Sequence, residues 1–113
     1  MIELRYFSRA NGDCPFEDWF INLNAQAAAK VTIALARMEQ GNLSNAKGVG
    51  EGVFEFRIDW GPGYRVYFGR QRDVLILLLT GGTKKRQQRD IELAKALWAE
   101  FKRTQPNTPK VED

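Results

Sequence analysis

Histidine is absent from all 113 residues, and that absence removes more chemistry than any motif present supplies. Without it there is no Ser-His-Asp triad, no Cys-His pair, no histidine-bound metal and no imidazole proton shuttle. Any acid–base work falls to Lys, Arg, Tyr, Asp and Glu. The one cysteine, Cys14, excludes an internal disulfide framework. With no second thiol or histidine to activate it, Cys14 reads as a small residue at a helix start. Long apolar runs are also missing: the longest, Val74–Leu79, is six residues, against the ~20 of a membrane helix. Glu3 and Arg5 interrupt the first apolar stretch, unlike a signal peptide. These absences point to a cytoplasmic protein with no membrane partner.

What is present is ordinary for a globular chain: 43% hydrophobic and 27% charged residues. The length allows one domain that buries roughly two-thirds of its unfolded surface. Ile2–Phe7 alternates as a strand. Asp13 is the expected N-cap of a short helix with Pro15 near its first position and Phe16, Trp19, Phe20 and Leu23 on one face. Asn24 caps a second helix, Ala25–Gln40, with Ala27, Val31, Ala34/Leu35 and Met38 as its stripe and Gly41 as its stop. Residues 41–52 read as a glycine-rich loop. Strands follow at Val53–Ile58, Tyr64–Phe68 and Val74–Leu79, with turns at Asp59–Gly63 and Gly69–Asp73. A last helix over Gln88–Lys102 buries Ile91, Ala94, Leu97, Trp98 and Phe101. The order β-α-α-β-β-β-α predicts an α+β domain over residues 1–103, with a disordered tail over 104–113.

Charge is uneven. Net charge is +3, but residues 1–56 carry −2 and residues 57–113 carry +5. The densest stretch, Lys84-Lys85-Arg86-Gln87-Gln88-Arg89, holds four cations and no acid. Such a cluster suits a polyanion, because phosphate contacts release counterions; a solvated helix start has the same composition. An acidic protein segment is a second partner of the right sign.

Gly48-Val49-Gly50-Glu51-Gly52 has the glycine density of a phosphate loop. It lacks the lysine and Ser/Thr and precedes a strand, which makes it a connector. Gly81-Gly82-Thr83-Lys84-Lys85 lies between strand and helix, a better context for an anion, without the Walker spacing. Alternation puts Arg57 and Arg65 on one sheet face, with Glu55 and Tyr67, opposite Phe54, Phe56, Val66 and Phe68. That face either receives a ribose–phosphate backbone or is an exposed face shielded by long side chains. Attack by a 2′-hydroxyl needs a proton acceptor and cations on the developing phosphorane. Glu55 is the candidate base; its competing role is a salt bridge to the arginines.

Four separated segments together resemble the RelE/ParE toxin superfamily. They are Val53-Phe54-Glu55-Phe56-Arg57, Gly61-Pro62-Gly63-Tyr64-Arg65-Val66-Tyr67-Phe68, the strand ending Leu79-Thr80-Gly81-Gly82, and Lys84-Lys85 followed by Gln88, Asp90, Ile91 and Ala94. The likeness is nearest to the HigB-like, phage-derived branch of addiction-module killer proteins, and it covers roughly residues 1–102. It implies a small, mostly antiparallel four-stranded sheet with a helical hairpin and a C-terminal helix. It also implies the toxin of a type II toxin–antitoxin pair, acting as a ribosome-dependent mRNA endoribonuclease with no metal or organic cofactor. Arg65 matches the arginine of the RelE-type Gly-Tyr-Arg strand. Arg57 matches a second basic residue, and Lys85, or its neighbour Lys84, matches a cation before the last helix. RelE-type toxins carry a lysine where this chain has Glu55. The expected catalytic set is therefore Arg57, Arg65, Lys85 and Glu55, with Lys84, Arg86, Arg89 and Tyr67 on RNA or ribosome. The implied partners are a helix-turn-helix, HigA-like antitoxin, the ribosome with its mRNA, and operator DNA only through the antitoxin complex. Two alternatives stand beside this reading: a ParE-like gyrase inhibitor without nuclease activity, and a non-toxic antitoxin-binding co-repressor.

Overall fold

Val53–Ile58 and the strand that starts at Tyr64 pair antiparallel, as their alternation predicts, and around them the chain builds one mixed sheet. In the computed structural model, which describes residues 2–72 and 74–104, the elements are β1 (Glu3–Tyr6), α1 (Pro15–Ile21), α2 (Ala25–Glu39), β2 (Ala46–Gly50), β3 (Val53–Ile58), β4 (Tyr64–Gln71), β5 (Leu75–Thr83), a 3-10 turn (Lys84–Arg86) and α3 (Gln87–Thr104). The sheet order is β1-β5-β4-β3-β2. Among the described residues only β1–β5 is parallel; the other three pairings are antiparallel. The α+β class holds. The tail expected after residue 103 lies, from residue 105 onward, outside the described residues. Among the described residues no helix is long and apolar enough to cross a membrane.

Two expectations about the sheet change. It has five strands, not four, because the segment read as a glycine-rich loop forms β2. Glycine has poor strand propensity, but an edge strand needs only its backbone groups. Ala46, Lys47 and Gly48 face Phe56, Glu55 and Phe54, with an irregularity before Gly50. The turn to β3 uses Glu51 and Gly52, both at positive φ (55° and 84°), the geometry a two-residue hairpin turn favours. The turn expected at Gly69–Asp73 is also shorter, since Gly69, Arg70 and Gln71 belong to β4.

The first helix starts one residue later than Asp13 predicts. Cys14 is the N-cap and makes no side-chain cap bond, and Pro15 takes the first helical position, where its missing N–H is harmless. Asp13 instead closes the preceding loop: its N–H donates to Asn11 Oδ1 at 2.9 Å. Asn24 caps α2 as expected, accepting from Ala27 N–H at 2.8 Å, an interaction typically worth about 1 kcal/mol.

Helices cover both sheet faces. α1 and α2 bring Phe16, Val31 and Met38 onto Phe56, Val66, Phe68 and Leu78. α3 lays Ala94, Leu97 and Trp98 over Val53, Tyr67, Leu77 and Leu79 on the other face. Full burial of a side chain such as Leu97 is worth about 1.5–3 kcal/mol. Gly81 and Gly82 are paired strand residues near the end of β5, opposite Val66 and Arg65. Each admits a helix on its own side: a Cβ at Gly81 would collide with the Trp19 ring of α1, and one at Gly82 with the Asp90 carboxylate of α3.

Candidate functional site

Arg57 and Arg65 are register partners on β3 and β4, and Glu55 faces Tyr67 two pairs further along. Strand alternation therefore does bring the four side chains to one face. That face is not open. α3 crosses it, and the four residues separate by depth: Arg57 is exposed, whereas Glu55 and Tyr67 are fully buried and Arg65 is 7% exposed.

Glu55 is the centre of the interior group. Its Oε2 accepts from Tyr67 Oη at 3.1 Å and from Gln87 Nε2 at 2.7 Å, and it lies 3.4 Å from Arg65 Nε. Arg65 in turn donates from Nη1 to the Gly63 carbonyl at 2.7 Å. The guanidinium is thus held between the turn ahead of its own strand and a carboxylate on the next one. Burial pushes the Tyr67 phenol far above its usual pKa, and the charge and hydrogen bond of Glu55 add to the shift. The phenol stays protonated and donates to the carboxylate.

These positions correct two expectations. Glu55, the candidate base, is sealed beneath Gln87 and cannot reach a 2′-hydroxyl from where it stands. Tyr67, a candidate RNA contact, is in the core of the α3 face. The reason is the same for both: alternation reports which side of a sheet a residue faces, and the first turn of a helix that follows later in the chain decides what covers that side.

The remaining candidates form a rim. Lys84, Lys85 and Arg86 are exposed in the 3-10 turn, and Arg89 is exposed on the first turn of α3. The Lys84 N–H reaches the Pro62 carbonyl at 3.4 Å, and both Lys84 and the Arg65 guanidinium close around Gly63. That turn, at φ +78°, has room only for glycine. Lys85, Arg86 and Arg89 border a shallow depression.

Two residues of this region were missed from the sequence. Gln87 was counted within the basic run, and it is the side chain that closes over Glu55. Asp90 is 9% exposed, and burial raises its pKa against the lowering pull of Arg86 and Arg89. Its signal was present: Asp90 precedes Ala94, Leu97 and Trp98 at helical spacing, a carboxylate on an apolar stripe. Three buried polar atoms here, Glu55 Oε1, Arg65 Nε and Asp90 Oδ2, have no hydrogen-bond partner among the described residues. Unsatisfied buried groups are uncommon, and three together set this region apart from the rest of the interior.

Residues 18–99 match the family described as "Phage derived protein Gp49-like (DUF891)". An uncharacterized protein of Haemophilus influenzae is 45% identical over 87 residues, covering 76% of this chain and 88% of the relative. The matched span includes β2 through most of α3, and with them every residue of the interior group and the rim.

Proposed function

Because the chain belongs to the Gp49-like, phage-derived family, we propose that it is the toxin of a type II toxin–antitoxin pair, of the HigB-like kind, and that it cleaves mRNA on the ribosome. The observation that carries the reading is Arg65: a nearly buried guanidinium, braced by Glu55 and the Gly63 carbonyl, beneath the exposed cations Arg57, Lys84 and Lys85. A preorganised donor in a dry setting stabilises developing phosphorane charge better than a mobile surface cation does.

In this reading the 2′-hydroxyl of the RNA gives its proton to water and attacks the adjacent phosphate, and the P–O5′ bond breaks, leaving a 2′,3′-cyclic phosphate and a 5′-hydroxyl whose proton comes from water. Arg65 and Arg57 neutralise the charge that builds on the non-bridging oxygens, and Lys84 and Lys85 hold the flanking backbone. Glu55 acts through Arg65 and not at the RNA. The ribosome supplies the in-line alignment, which can lower a barrier by roughly 7–11 kcal/mol at best. The protein alone therefore cuts naked RNA poorly. An HTH-type antitoxin, HigA-like, with an acidic segment would cover the basic rim and silence it.

The test is induction in cells with mapping of mRNA 5′ ends, beside a supercoiling assay with purified gyrase. New 5′ ends within translated reading frames, with supercoiling intact, support the proposal. Inhibited supercoiling with intact mRNA would move the protein to a ParE-like role, and neither effect would leave a non-toxic co-repressor partner. Arg57→Ala is the informative variant. Arg57 is exposed, so its loss should leave stability within about 0.5 kcal/mol while lowering cleavage by roughly 10²–10³.

A further inference from the structure

Arg57 also belongs to a second place, on the far side of the sheet edge from the 3-10 turn. Two adjoining clefts open where α2 passes the end of β3. The first is lined by Lys30 and Arg37 of α2, Arg57 and Trp60; the second by Lys47 of β2 and again Arg57. Asn45 and Asp59 line both. All four cations are exposed. Among the described residues none of them forms an ion pair, with Asp59 or with any other carboxylate. Lys30 Nζ lies 5.6 Å from the centroid of the Trp60 ring.

The clefts measure about 270 and 260 Å³, below the roughly 300–1,000 Å³ of pockets that enclose small molecules. Four unpaired cations in a shallow double cleft fit an extended polyanion that crosses it. The sequence hid this site because its cations are scattered over α2, β2 and β3, three of the four in the half of the chain with net negative charge.

We propose that this cleft binds the sugar–phosphate backbone of single-stranded RNA, as the continuation of the strand that passes over Arg65. The register carries the argument. Arg57 faces Arg65 across β3 and β4, and Lys84 closes on the same turn as Arg65. Cations thus run from the 3-10 turn, over the end of the sheet, into the cleft. Trp60 adds an aromatic wall of the kind that single-strand sites use beside their basic grooves. The inference builds on the RNA reading proposed above, but it concerns binding and not cutting.

The probe is a short, fluorescein-labelled single-stranded RNA of about a dozen nucleotides, titrated with purified full-length protein at several salt concentrations. For single strands each phosphate contact contributes about 0.7 to the slope of log affinity against log salt. Lys30→Gln combined with Arg37→Gln should therefore lower the slope by about 1.4 and the affinity roughly 25-fold at 0.1 M salt. Both residues are exposed on α2, and matching thermal melts check that the variant folds. An unchanged slope and affinity overturns the proposal, as does a wild type that binds no RNA at low salt. It is equally overturned if the double substitution spares RNA but abolishes binding of an acidic peptide, which would make the cleft a protein-docking surface. Binding that depends on Lys30 and Arg37 while cellular mRNA stays uncut keeps the cleft and removes the nuclease. Cut mRNA with unaltered binding does the reverse.

Discussion

Replacing Glu55 by glutamine is the sharpest perturbation of this molecule, because it separates an interior anchor from a catalytic base. The carboxylate is fully buried, accepts from Tyr67 Oη and Gln87 Nε2 and is the only acidic side chain that ion-pairs with Arg65 among the described residues. A glutamine oxygen can still accept from Tyr67 or Gln87, but it leaves the Arg65 guanidinium unpaired in the interior. Breaking a buried pair from one side costs about 3–5 kcal/mol, set against a total stability of about 5–15 kcal/mol. For a domain near 100 residues each 1 kcal/mol shifts the midpoint by about 4–8 °C, so the thermal midpoint should fall by roughly 12 °C or more. Circular dichroism melts of wild type and Glu55→Gln measure it. Tyr67→Phe placed on the Glu55→Gln background should cost less than Tyr67→Phe alone, since the bond it removes is already weakened. A drop below about 4 °C, together with a large loss of cleavage, would refute the anchor and restore Glu55 as the base.

Asp90 gives a pH signature. Its folded pKa lies above the ordinary 3.8, chiefly through burial, so the folded state binds that proton more tightly than the unfolded chain. The stability this contributes is complete below the unfolded value and is lost as pH rises through the raised one. Asp90→Asn should therefore be more stable than wild type at pH 7, with the advantage shrinking as urea melts are taken down toward pH 4; a variant less stable at pH 7 contradicts the assignment. Glycines offer a steric test. Gly81→Ala drives a methyl into the Trp19 ring and should cost about 1–3 kcal/mol. Gly48→Ala meets nothing closer than Phe54 at 3.9 Å and should be neutral or stabilising by about 0.4–1 kcal/mol. Equal urea midpoints for the two would show that α1 does not pack on β5 as described.

Period-two alternation made β3 and β4 readable residue by residue, and it set Arg57, Arg65, Glu55 and Tyr67 on one face, where they are. The helical stripes of α2 and α3 and the Asn24 cap were equally plain, since each is a local pattern with a local cause. What failed was non-local. The strand at Ala46–Gly50 is held by backbone pairing to β3 and has no side-chain rhythm of its own. The burial of Glu55 depends on Gln87, which is 32 positions further along. The cleft beside α2 depends on cations from three elements that meet only in the folded sheet. The basic run was legible as a cluster, and its fall at the edge of the face that holds Arg57 and Arg65 follows once β5 pairs with β4; the Lys84 N–H on the Pro62 carbonyl fixes it there.

The parallel pairing of the first strand with the last has a consequence for how the protein comes into being. Among the described residues, Glu3 to Tyr6 have their only sheet neighbours at Leu75 to Leu78, so the N-terminal strand has no such partner until most of the chain has been made. At about 5–20 residues per second of synthesis, it waits on the order of 4–14 s for β5 to leave the ribosome. Gln87, which closes over Glu55, and Asp90 emerge later still. Arg57 and Arg65 are synthesised midway, yet their arrangement is finished only near the end of translation. The nascent chain carries Arg57 and Arg65 long before it carries the residues that complete their surroundings.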